Sequence, residues 1–369
     1  MKTTAICSTS LKKIKPENSY FNISICGENF TIGILDNVEQ PSHNQLIDDS
    51  ILVKIKAFSC NYRDKSLILQ FNQTCKIQSK DHKYFFSPFG SEFVAEVINV
   101  GKDVKKIKIG DRIIPDGSYP NKKNGGIGGI PTNYASQRMQ CFKENQVVKI
   151  PDTMPDEVAA SFTIASQTVY GMIRRLELNQ KSNVLVTAAT SNTSLAAIKV
   201  LCNRGINTYA ISTNQNFEKQ LYDLGIHQLI PYSTLEKRTI KEYINGVEFD
   251  AIIDPFIDIY LAQIINCMKF NGKYIYCGYY NQNSFFEQLK NKNNDYLKVF
   301  SHCLINNISI VGNCLGIEDD LQNAMDDYVN GKYDIIVDSI YTGNDIVPFI
   351  EKTFHDTPRF GKVVYKYDD

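Results

Sequence analysis

Consecutive hydroxyl and amide side chains follow a short apolar stretch near the middle of the chain, in the segment Thr187–Leu195. They are Thr190, Ser191, Asn192, Thr193 and Ser194. A turn between a buried strand and a helix can bind a phosphate, because free backbone N–H groups and the helix dipole favour an anion there. The glycine-rich sequence G-x-G-x-x-G that usually forms such a turn is absent, and Ser and Thr are also preferred helix caps. Two interpretations therefore stay open, a dinucleotide-phosphate site and an ordinary capped helix start.

The end of the next predicted strand, Asn207–Ser212, bears on which dinucleotide could bind. A carboxylate at this place would bind the 2′-hydroxyl of NAD, but no carboxylate lies between Ala210 and Asn214. Ser212 and Thr213 leave room for a 2′-phosphate, and Lys219 could supply positive charge. We therefore expect NADPH to be favoured if a dinucleotide binds, with an ordinary polar strand end as the alternative.

The elements that must position these side chains change character along the chain. Up to about residue 150 the sequence predicts strands, at Phe30–Leu35, Ile51–Phe58, Phe93–Val100, Arg112–Ile114 and Gln146–Ile150. Between them, 101–111 is predicted as a turn, a short strand and a second turn. The segments Gln70–Pro88 and Pro115–Thr132 are predicted to be long and irregular, as functional loops often are. This half is most easily a small barrel-like β domain.

From about residue 155 the pattern alternates between short apolar strands and helices. The predicted strands are Asn183–Thr187, Asn207–Ser212, Gln228–Pro231, Phe249–Asp254, Gly272–Cys277 and Ile308–Gly312, and the helices include Ser194–Arg204 and Phe217–Leu224. Alternating units of this kind predict a doubly wound parallel sheet, which binds ligands outside the carboxyl ends of its strands. A last strand, Gly361–Lys366, is predicted to return to the first domain.

Length and charge limit the class of protein. A chain of 369 residues suggests two domains. Forty Lys and Arg residues balance forty Asp and Glu residues, which argues against nucleic acid or an anionic membrane as a partner. The sequence has no apolar run of about 20 residues and no h-region typical of a signal peptide, and its ten cysteines form no C-x-x-C pair. We therefore expect a cytoplasmic protein with reduced thiols.

Several segments, in one order along nearly the whole chain, resemble the medium-chain dehydrogenase/reductase superfamily. The segments are Ile51–Ala57 with Asn61-Tyr-Arg-Asp64, Pro88–Val97, Ile109–Arg112, Ile150–Asp152, Gln167–Tyr170, Asn307–Gly312 and Phe360–Val364. The N-Y-R-D motif resembles the zinc-independent, quinone-reductase-like branch of this superfamily. The resemblance implies an α/β fold with a GroES-like β domain (1–165 with 315–369) and a Rossmann doubly wound parallel-sheet domain that binds NADP (166–314). It also implies a homo-oligomer.

The metal question can be decided position by position on this resemblance. Zinc-dependent members hold the catalytic metal with a Cys, a His and a second Cys. The first Cys position falls on Asn61, the His position on Ser91, and the second Cys position near Ile164, although Glu92 is present beside the His position. The segment 76–140 contains no cysteine, so the structural zinc lobe is also absent. We predict that the protein binds no metal.

Without zinc, donors on the protein must hold the negative charge that develops when hydride adds to an activated alkene. In the N-Y-R-D motif, Tyr62 and Arg63 are the candidate donors, and Asn61 would position substrate or cofactor. The resemblance implies that Asp64 orients the motif. It also implies cofactor contacts at Thr168, Gly278 and Tyr279. The alternative for the motif is a polar turn whose hydrogen bonds are purely structural.

Three functions follow as hypotheses. The first is an NADPH-dependent, zinc-independent reductase of enones, quinones or similar activated alkenes. The second is a biosynthetic reductase that acts on dehydroalanine residues of a lanthipeptide precursor, for which the segment Gln70–Pro88 could make room. The third is a degenerate, non-catalytic relative that acts by binding, for which the glycine-free turn is the best support. The substrate would accordingly be a small molecule or a peptide.

Overall fold

A computed structural model describes residues 2–36, 46–80, 85–120, 129–236, 239–280, 296–355 and 358–368. The strands are β1 (Lys2–Cys7), β2 (Ser19–Ile25), β3 (Glu28–Asp36), β4 (Ser50–Ser59), β5 (Phe86–Ser87), β6 (Glu92–Val100), β7 (Arg112–Pro115), β8 (Met139–Lys143), β9 (Val147–Lys149), β10 (Asn183–Val186), β11 (Asn207–Ser212), β12 (Gln228–Pro231), β13 (Phe249–Asp254), β14 (Met268–Tyr276), β15 (Ser309–Gly312), β16 (Val337–Tyr341) and β17 (Lys362–Lys366). The helices are α1 (Thr9–Ile14), α2 (Asp64–Lys80), α3 (Asp156–Ala159), α4 (Thr163–Leu176), α5 (Asn192–Asn203), α6 (Glu218–Asp223), α7 (Ile240–Tyr243), α8 (Ile257–Ile264), α9 (Tyr296–Asn306), α10 (Glu318–Val329) and α11 (Ile346–Phe354). Within these ranges, none of the helices has the length and apolar character needed to cross a bilayer.

The central strands of the second half form one parallel sheet, in the order β12-β11-β10-β13-β14-β15. Strands such as β10 are short, apolar and buried, as expected where helices cover both faces of a sheet. The strand order reverses between β10 and β13, and a ligand binds such a sheet in the crevice at that point. The predicted doubly wound sheet is therefore confirmed.

A second sheet runs in the order β16-β17-β4-β6-β7-β9, with β8 also paired to β4. Strand β4 lies in its middle, and nearly all of its side chains are buried. The C-terminal strand β17 pairs antiparallel with β4, with Val364 opposite Ser59, so the chain does return to the first domain. A smaller sheet, β2-β3-β1-β5, lies at the N-terminal side.

The predicted domain boundaries at 165/166 and 314/315 stay a prediction. Helix α10 lies beyond the second boundary, but its Leu321 and Ala324 are buried in the same core cluster as Val169 and Ile173 of α4. After α10, the chain enters the sheet that contains β4 and β17 only at β16. The predicted homo-oligomer also stays a prediction.

The segment Gln70–Pro88 is not irregular as predicted, because α2 extends to Lys80. Its buried residues Ile68, Asn72 and Cys75 are spaced by four and three positions, which is the helical period. This buried face is difficult to recognise in the sequence because its middle residue, Asn72, is polar. In the structure, the Asn72 amide donates a hydrogen bond to the Asn29 carbonyl (3.3 Å). Residues 81–84 of the predicted segment lie outside the described residues, as do residues 121–128 of Pro115–Thr132.

The short strand predicted within 101–111 is also wrong. Its backbone N–H groups bond to a side chain instead of a neighbouring strand, since Lys105 and Ile107 donate to Oε1 of Glu144 at 3.0 and 3.1 Å, and Lys106 donates to the same oxygen. A carboxylate that binds successive amides holds the chain in a loop.

Candidate active site

A cleft opens at the carboxyl ends of β10, β11 and β13 and has two adjoining compartments. The inner compartment, with a volume of about 310 Å³, is lined by the motif residues 60–63, by Thr168 of α4 and by Lys362 of β17. The outer compartment, of about 810 Å³, is lined by the last residue of β11 and the four that follow it (212–216) and by Tyr232 after β12. The residues that line both compartments are Tyr62, Ser191, Phe256, Thr353 and Arg359.

The turn after β10 supports both interpretations that the sequence left open. Ser191 caps helix α5, and its Oγ accepts a hydrogen bond from the backbone N–H of Ser194 (3.3 Å). Ala188 adopts a left-handed conformation (φ 48°), the kind of position where glycine is usual, so the chain makes the tight turn without glycine. The candidate phosphate-binding side chains that line the cleft are Thr190, Ser191, Asn192 and Thr193.

The amide of Asn192 shows that this turn fits a further polar group. Its Nδ2 is buried, and it has no hydrogen-bond partner among the described residues. A buried donor without a partner costs free energy unless a ligand or water accepts from it. The first N–H groups of a helix also lack intrahelical acceptors. The oxygens of a dinucleotide pyrophosphate could accept hydrogen bonds from the Asn192 amide and from these helix N–H groups.

Three predicted cofactor-binding residues lie at or after the end of β11, and the structure places two of them in the lining of the cleft. Ser212 and Thr213 line the outer compartment, whereas Lys219 is exposed on α6 and is not among the lining residues. Arg359 is the Lys or Arg side chain found among the described residues that line the outer compartment, and its Nη1 donates to the Thr353 carbonyl (2.6 Å). Arg359 lies far along the chain from the turns that the sequence singled out, and neither it nor Tyr232, which follows β12, was predicted as a site residue.

The N-Y-R-D motif is a turn built around the buried carboxylate of Asp64. Its Oδ2 accepts from the Asn61 backbone N–H (2.8 Å) and from Ser91 Oγ (2.6 Å), and its Oδ1 accepts from Arg63 (3.1 Å). Burial raises the pKa of the Asp64 carboxyl, which the charge of Arg63 and the hydrogen bond from Ser91 oppose. Arg63 also donates to Asn133 Oδ1 (3.1 Å) and lines the inner compartment.

The ring of Tyr62 lies at the junction of the two compartments in an aromatic cluster. It stacks on Tyr280 (centroids 5.5 Å apart) and contacts the edge of Phe256 (5.3 Å). Lys65 donates to the Tyr62 hydroxyl (3.3 Å). The predicted Gly278 lines the inner compartment, but the predicted Tyr279 does not line the cleft and packs against Tyr276. Tyr280 and Phe256 are contacts that the sequence analysis did not identify.

A buried ion pair, Lys362–Glu92, lies beside Asn61 and Ser91, two of the positions that correspond to zinc ligands. Lys362 Nζ donates to Asn61 Oδ1 (2.6 Å) and to Glu92 Oε2 (3.0 Å). The side chain of Lys362 is 5% exposed and that of Glu92 is 0% exposed. Asn61 Nδ2 donates to the same oxygen of Glu92 (3.1 Å) and to Ser91 Oγ (3.3 Å). An ammonium between an amide and a carboxylate does not fit a zinc site, which needs thiolate or imidazole ligands. The described residues contain no cluster of three or more His, Cys, Asp or Glu suited to a metal.

The charges of the cleft are one-sided, although the chain has no net charge. Arg63, Arg359 and Lys362 line it, and no aspartate or glutamate is among the described residues that line either compartment, since the carboxylates that pair with Arg63 and Lys362 are fully buried outside the lining. A groove lined by one sign of charge attracts the opposite sign. The cleft is therefore suited to an anionic ligand.

A second buried carboxylate, Asp254 at the end of β13, connects the strands below the cleft. It accepts from Thr187 Oγ1 and Tyr274 OH (2.5 Å each) and from the Phe256 backbone N–H (2.8 Å). Burial raises the pKa of Asp254 to about 6, despite these hydrogen bonds. The folded protein therefore holds this proton to a higher pH than the unfolded chain does.

This shift predicts a pH-dependent stability. The contribution of Asp254 to the free energy of unfolding is complete below a pH of about 4, its ordinary pKa. It is lost as the pH rises through about 6, its pKa in the folded protein. Between those limits the free energy of unfolding should fall by about 3 kcal/mol because of this group. Urea unfolding of the wild type and of Asp254→Asn across this pH range measures the effect. The difference between their free energies of unfolding should change with pH by this amount. A difference that does not change with pH would contradict the shift.

Comparisons with known proteins agree with this architecture. The family model described as an alcohol dehydrogenase GroES-like domain matches residues 47–152, and the one described as a zinc-binding dehydrogenase matches residues 193–330. The quinone oxidoreductase from Coxiella burnetii has a similar structure (TM-score 0.69, 18% identity, 99% of each chain covered). The predicted α/β fold with a GroES-like and a Rossmann-like domain is therefore confirmed.

Relatives in sequence include two enzymes. The mitochondrial enoyl-[acyl-carrier-protein] reductase of Caenorhabditis elegans is 30% identical over 157 residues, which are 41% of this chain and 42% of that protein. The acryloyl-coenzyme A reductase of Metallosphaera sedula is 22% identical over 331 residues, 85% of this chain and 91% of that protein. The match to the nematode enzyme thus spans less than half of its length.

Proposed function

The chain belongs to the medium-chain dehydrogenase/reductase superfamily of nicotinamide-dependent oxidoreductases, and on this premise we propose an NADPH-dependent, zinc-independent reductase of activated alkenes. The observation that carries the proposal is the cleft itself. Cationic side chains line it, no described carboxylate does, and Ser212 and Thr213 stand where an NAD site would have an acidic residue.

The residues that would hold the cofactor form one continuous path along the cleft. The turn 190–193 at the start of α5 would bind the pyrophosphate, and Ser212, Thr213 and Arg359 would surround the 2′-phosphate. Thr168 and Gly278 line the inner compartment, where the nicotinamide would lie. A reduced nicotinamide supplies hydride when it is bound.

Donors in the N-Y-R-D motif would act on the substrate. Tyr62 and Arg63 both line the inner compartment, and each can donate a hydrogen bond to a carbonyl oxygen that gains negative charge. Alkenes conjugated to a carbonyl also fit the names of the two relatives, an enoyl reductase and an acryloyl-thioester reductase. This support favours enone-like and enoyl-thioester substrates.

The other two hypotheses have less support. The segment that was to make room for a peptide is helical up to Lys80, so it offers less space than an irregular loop would. The glycine-free turn, the best argument for a non-catalytic relative, still starts a capped helix beside the buried Asn192 amide.

Titration of the purified protein with NADPH and NADH tests the proposal. The cofactor's own fluorescence should be followed, because the chain has no Trp to serve as an energy donor. We expect tighter binding of NADPH, and turnover with an α,β-unsaturated ketone, a quinone or an enoyl thioester. Binding of neither cofactor, or a preference for NADH, would contradict the proposal, and bound stoichiometric zinc would contradict its metal-free form. Turnover of a dehydroalanine peptide alone would favour the biosynthetic hypothesis, and binding without any turnover the non-catalytic one.

A further inference from the structure

We propose that the ammonium of Lys362, hydrogen-bonded to Asn61 at one of the positions that correspond to zinc ligands, stabilises the negative charge that develops on the substrate's carbonyl oxygen. The inference rests on the proposed alkene reduction and names a third donor for it. Neither the sequence motif nor the comparisons assign a role to this side chain.

The fold brings Lys362 to the motif from the other end of the chain. Lys362 is the first residue of β17, and this strand pairs with β4, which ends just before Asn61. Gly361 adopts φ +115° immediately before it, and its N–H donates to the Thr190 carbonyl (3.2 Å). The backbone therefore fixes the lysine between the cofactor-binding turn and the predicted catalytic motif.

The surroundings pair the ammonium with a carboxylate and fix its orientation. Glu92 is fully buried, and its Oε1 accepts from the Ile164 backbone N–H (2.7 Å), so the carboxylate is held on both oxygens. Two of the three ammonium N–H bonds go to Asn61 and Glu92 in the described structure. The third can be donated to an oxygen in the inner compartment, which Lys362 lines.

Two simpler roles explain less of this arrangement. A phosphate contact is better supplied by Arg359, which lines both compartments, whereas the Lys362 ammonium bonds to the motif residue Asn61. A purely stabilising role is weakly supported, because apolar residues of similar volume often stabilise a protein as well as a buried ion pair does. A cation in a poorly solvated cleft does, however, stabilise a developing oxyanion strongly.

The reaction balances with Lys362 as a donor that keeps its proton. Hydride forms a C–H bond at the β-carbon, and the electron pair of the C=C bond shifts until the carbonyl oxygen carries the negative charge. The Lys362 N–H donates a hydrogen bond to this oxygen. When the C=O bond forms again, the α-carbon takes a proton from water, so the alkene gains one hydride and one proton.

Three variants separate catalysis from stability. Lys362→Met should lower kcat by about 10²-fold, as removal of an oxyanion donor does elsewhere. It should also destabilise the fold, because Glu92 is left buried and unpaired. The double variant Lys362→Met/Glu92→Gln removes both charges and should recover the unfolding midpoint without recovering kcat. Lys366→Met is the matched control, since this half-exposed lysine lies on the same strand outside the cleft lining.

A measurement without turnover tests the same group. The absorbance of 4-nitrophenol reports its ionisation, and its phenolate mimics the oxyanion. The wild-type cleft should bind the phenolate in preference to the phenol, and the double variant should lose this preference while its NADPH affinity stays within about threefold.

The inference is overturned if the double variant recovers kcat with its stability, if it loses NADPH affinity with kcat unchanged, or if the wild type does not favour the phenolate. A wild type that reduces no activated alkene would contradict the proposed function instead. The nitrophenol comparison would then still decide whether Lys362 stabilises an oxyanion.

Discussion

A carboxylate at position 213 is expected to reverse the cofactor preference. Thr213 is exposed at the end of β11 and lines the outer compartment, so Thr213→Asp should not disturb the core. Its charge would lie beside the position that we propose for the 2′-phosphate of NADPH. We therefore expect NADPH binding to weaken by about 100-fold, since bringing like charges together costs several kcal/mol. NADH should bind at least as well as before, because a carboxylate there accepts from its 2′-hydroxyl. Fluorescence titration of both cofactors measures the change.

The matched control is Asn207→Asp at the other end of the same strand. It adds the same charge, but Asn207 is exposed at the start of β11 and lines neither compartment. Both dissociation constants should therefore stay near the wild-type values. Equal losses of NADPH affinity in the two variants would mean that the outer compartment does not hold the 2′-phosphate.

Alanine at position 361 is expected to lower both stability and activity. Gly361 has φ +115°, and a Cβ there would lie 2.3 Å from the Ile336 carbonyl oxygen. Conformational strain and the backbone contact together should reduce the free energy of unfolding by about 3 kcal/mol. The strand must shift to relieve the contact, and Lys362 is the next residue, so kcat should fall as well.

Gly331→Ala is the control for the backbone conformation alone. Gly331 also has a positive φ (+67°), but a Cβ there would meet nothing within 4 Å. We expect a loss of about 1–2 kcal/mol and unchanged kcat. Urea unfolding and steady-state rates of the two variants measure these losses of stability and of kcat. Equal losses of stability would show that the contact with the Ile336 carbonyl contributes nothing to the effect at position 361.

The parallel sheet was the part of the fold that the sequence predicted best. The bounds predicted for β11, β12 and β13 agree with those of the structure. A strand covered on both faces is a short apolar run between polar turns, so its ends are visible locally. Helix α2 was missed because the polar Asn72 interrupts its buried face, and the loop 101–111 because its amides bond to a distant Glu144.

For the site, the sequence alone determined the side chains on each local turn: the hydroxyl and amide groups before α5, the absence of a carboxylate after β11, and the N-Y-R-D motif. Only the tertiary structure decided which charges join them. Lys362 bonds to Asn61 across 301 positions of the chain, and Arg359 lines the outer compartment whereas Lys219 does not. Local patterns report periodicity and turn chemistry, whereas the pairing of β17 with β4 depends on how the whole sheet packs. The cation that stands where a metal was considered is therefore a product of that long-range pairing.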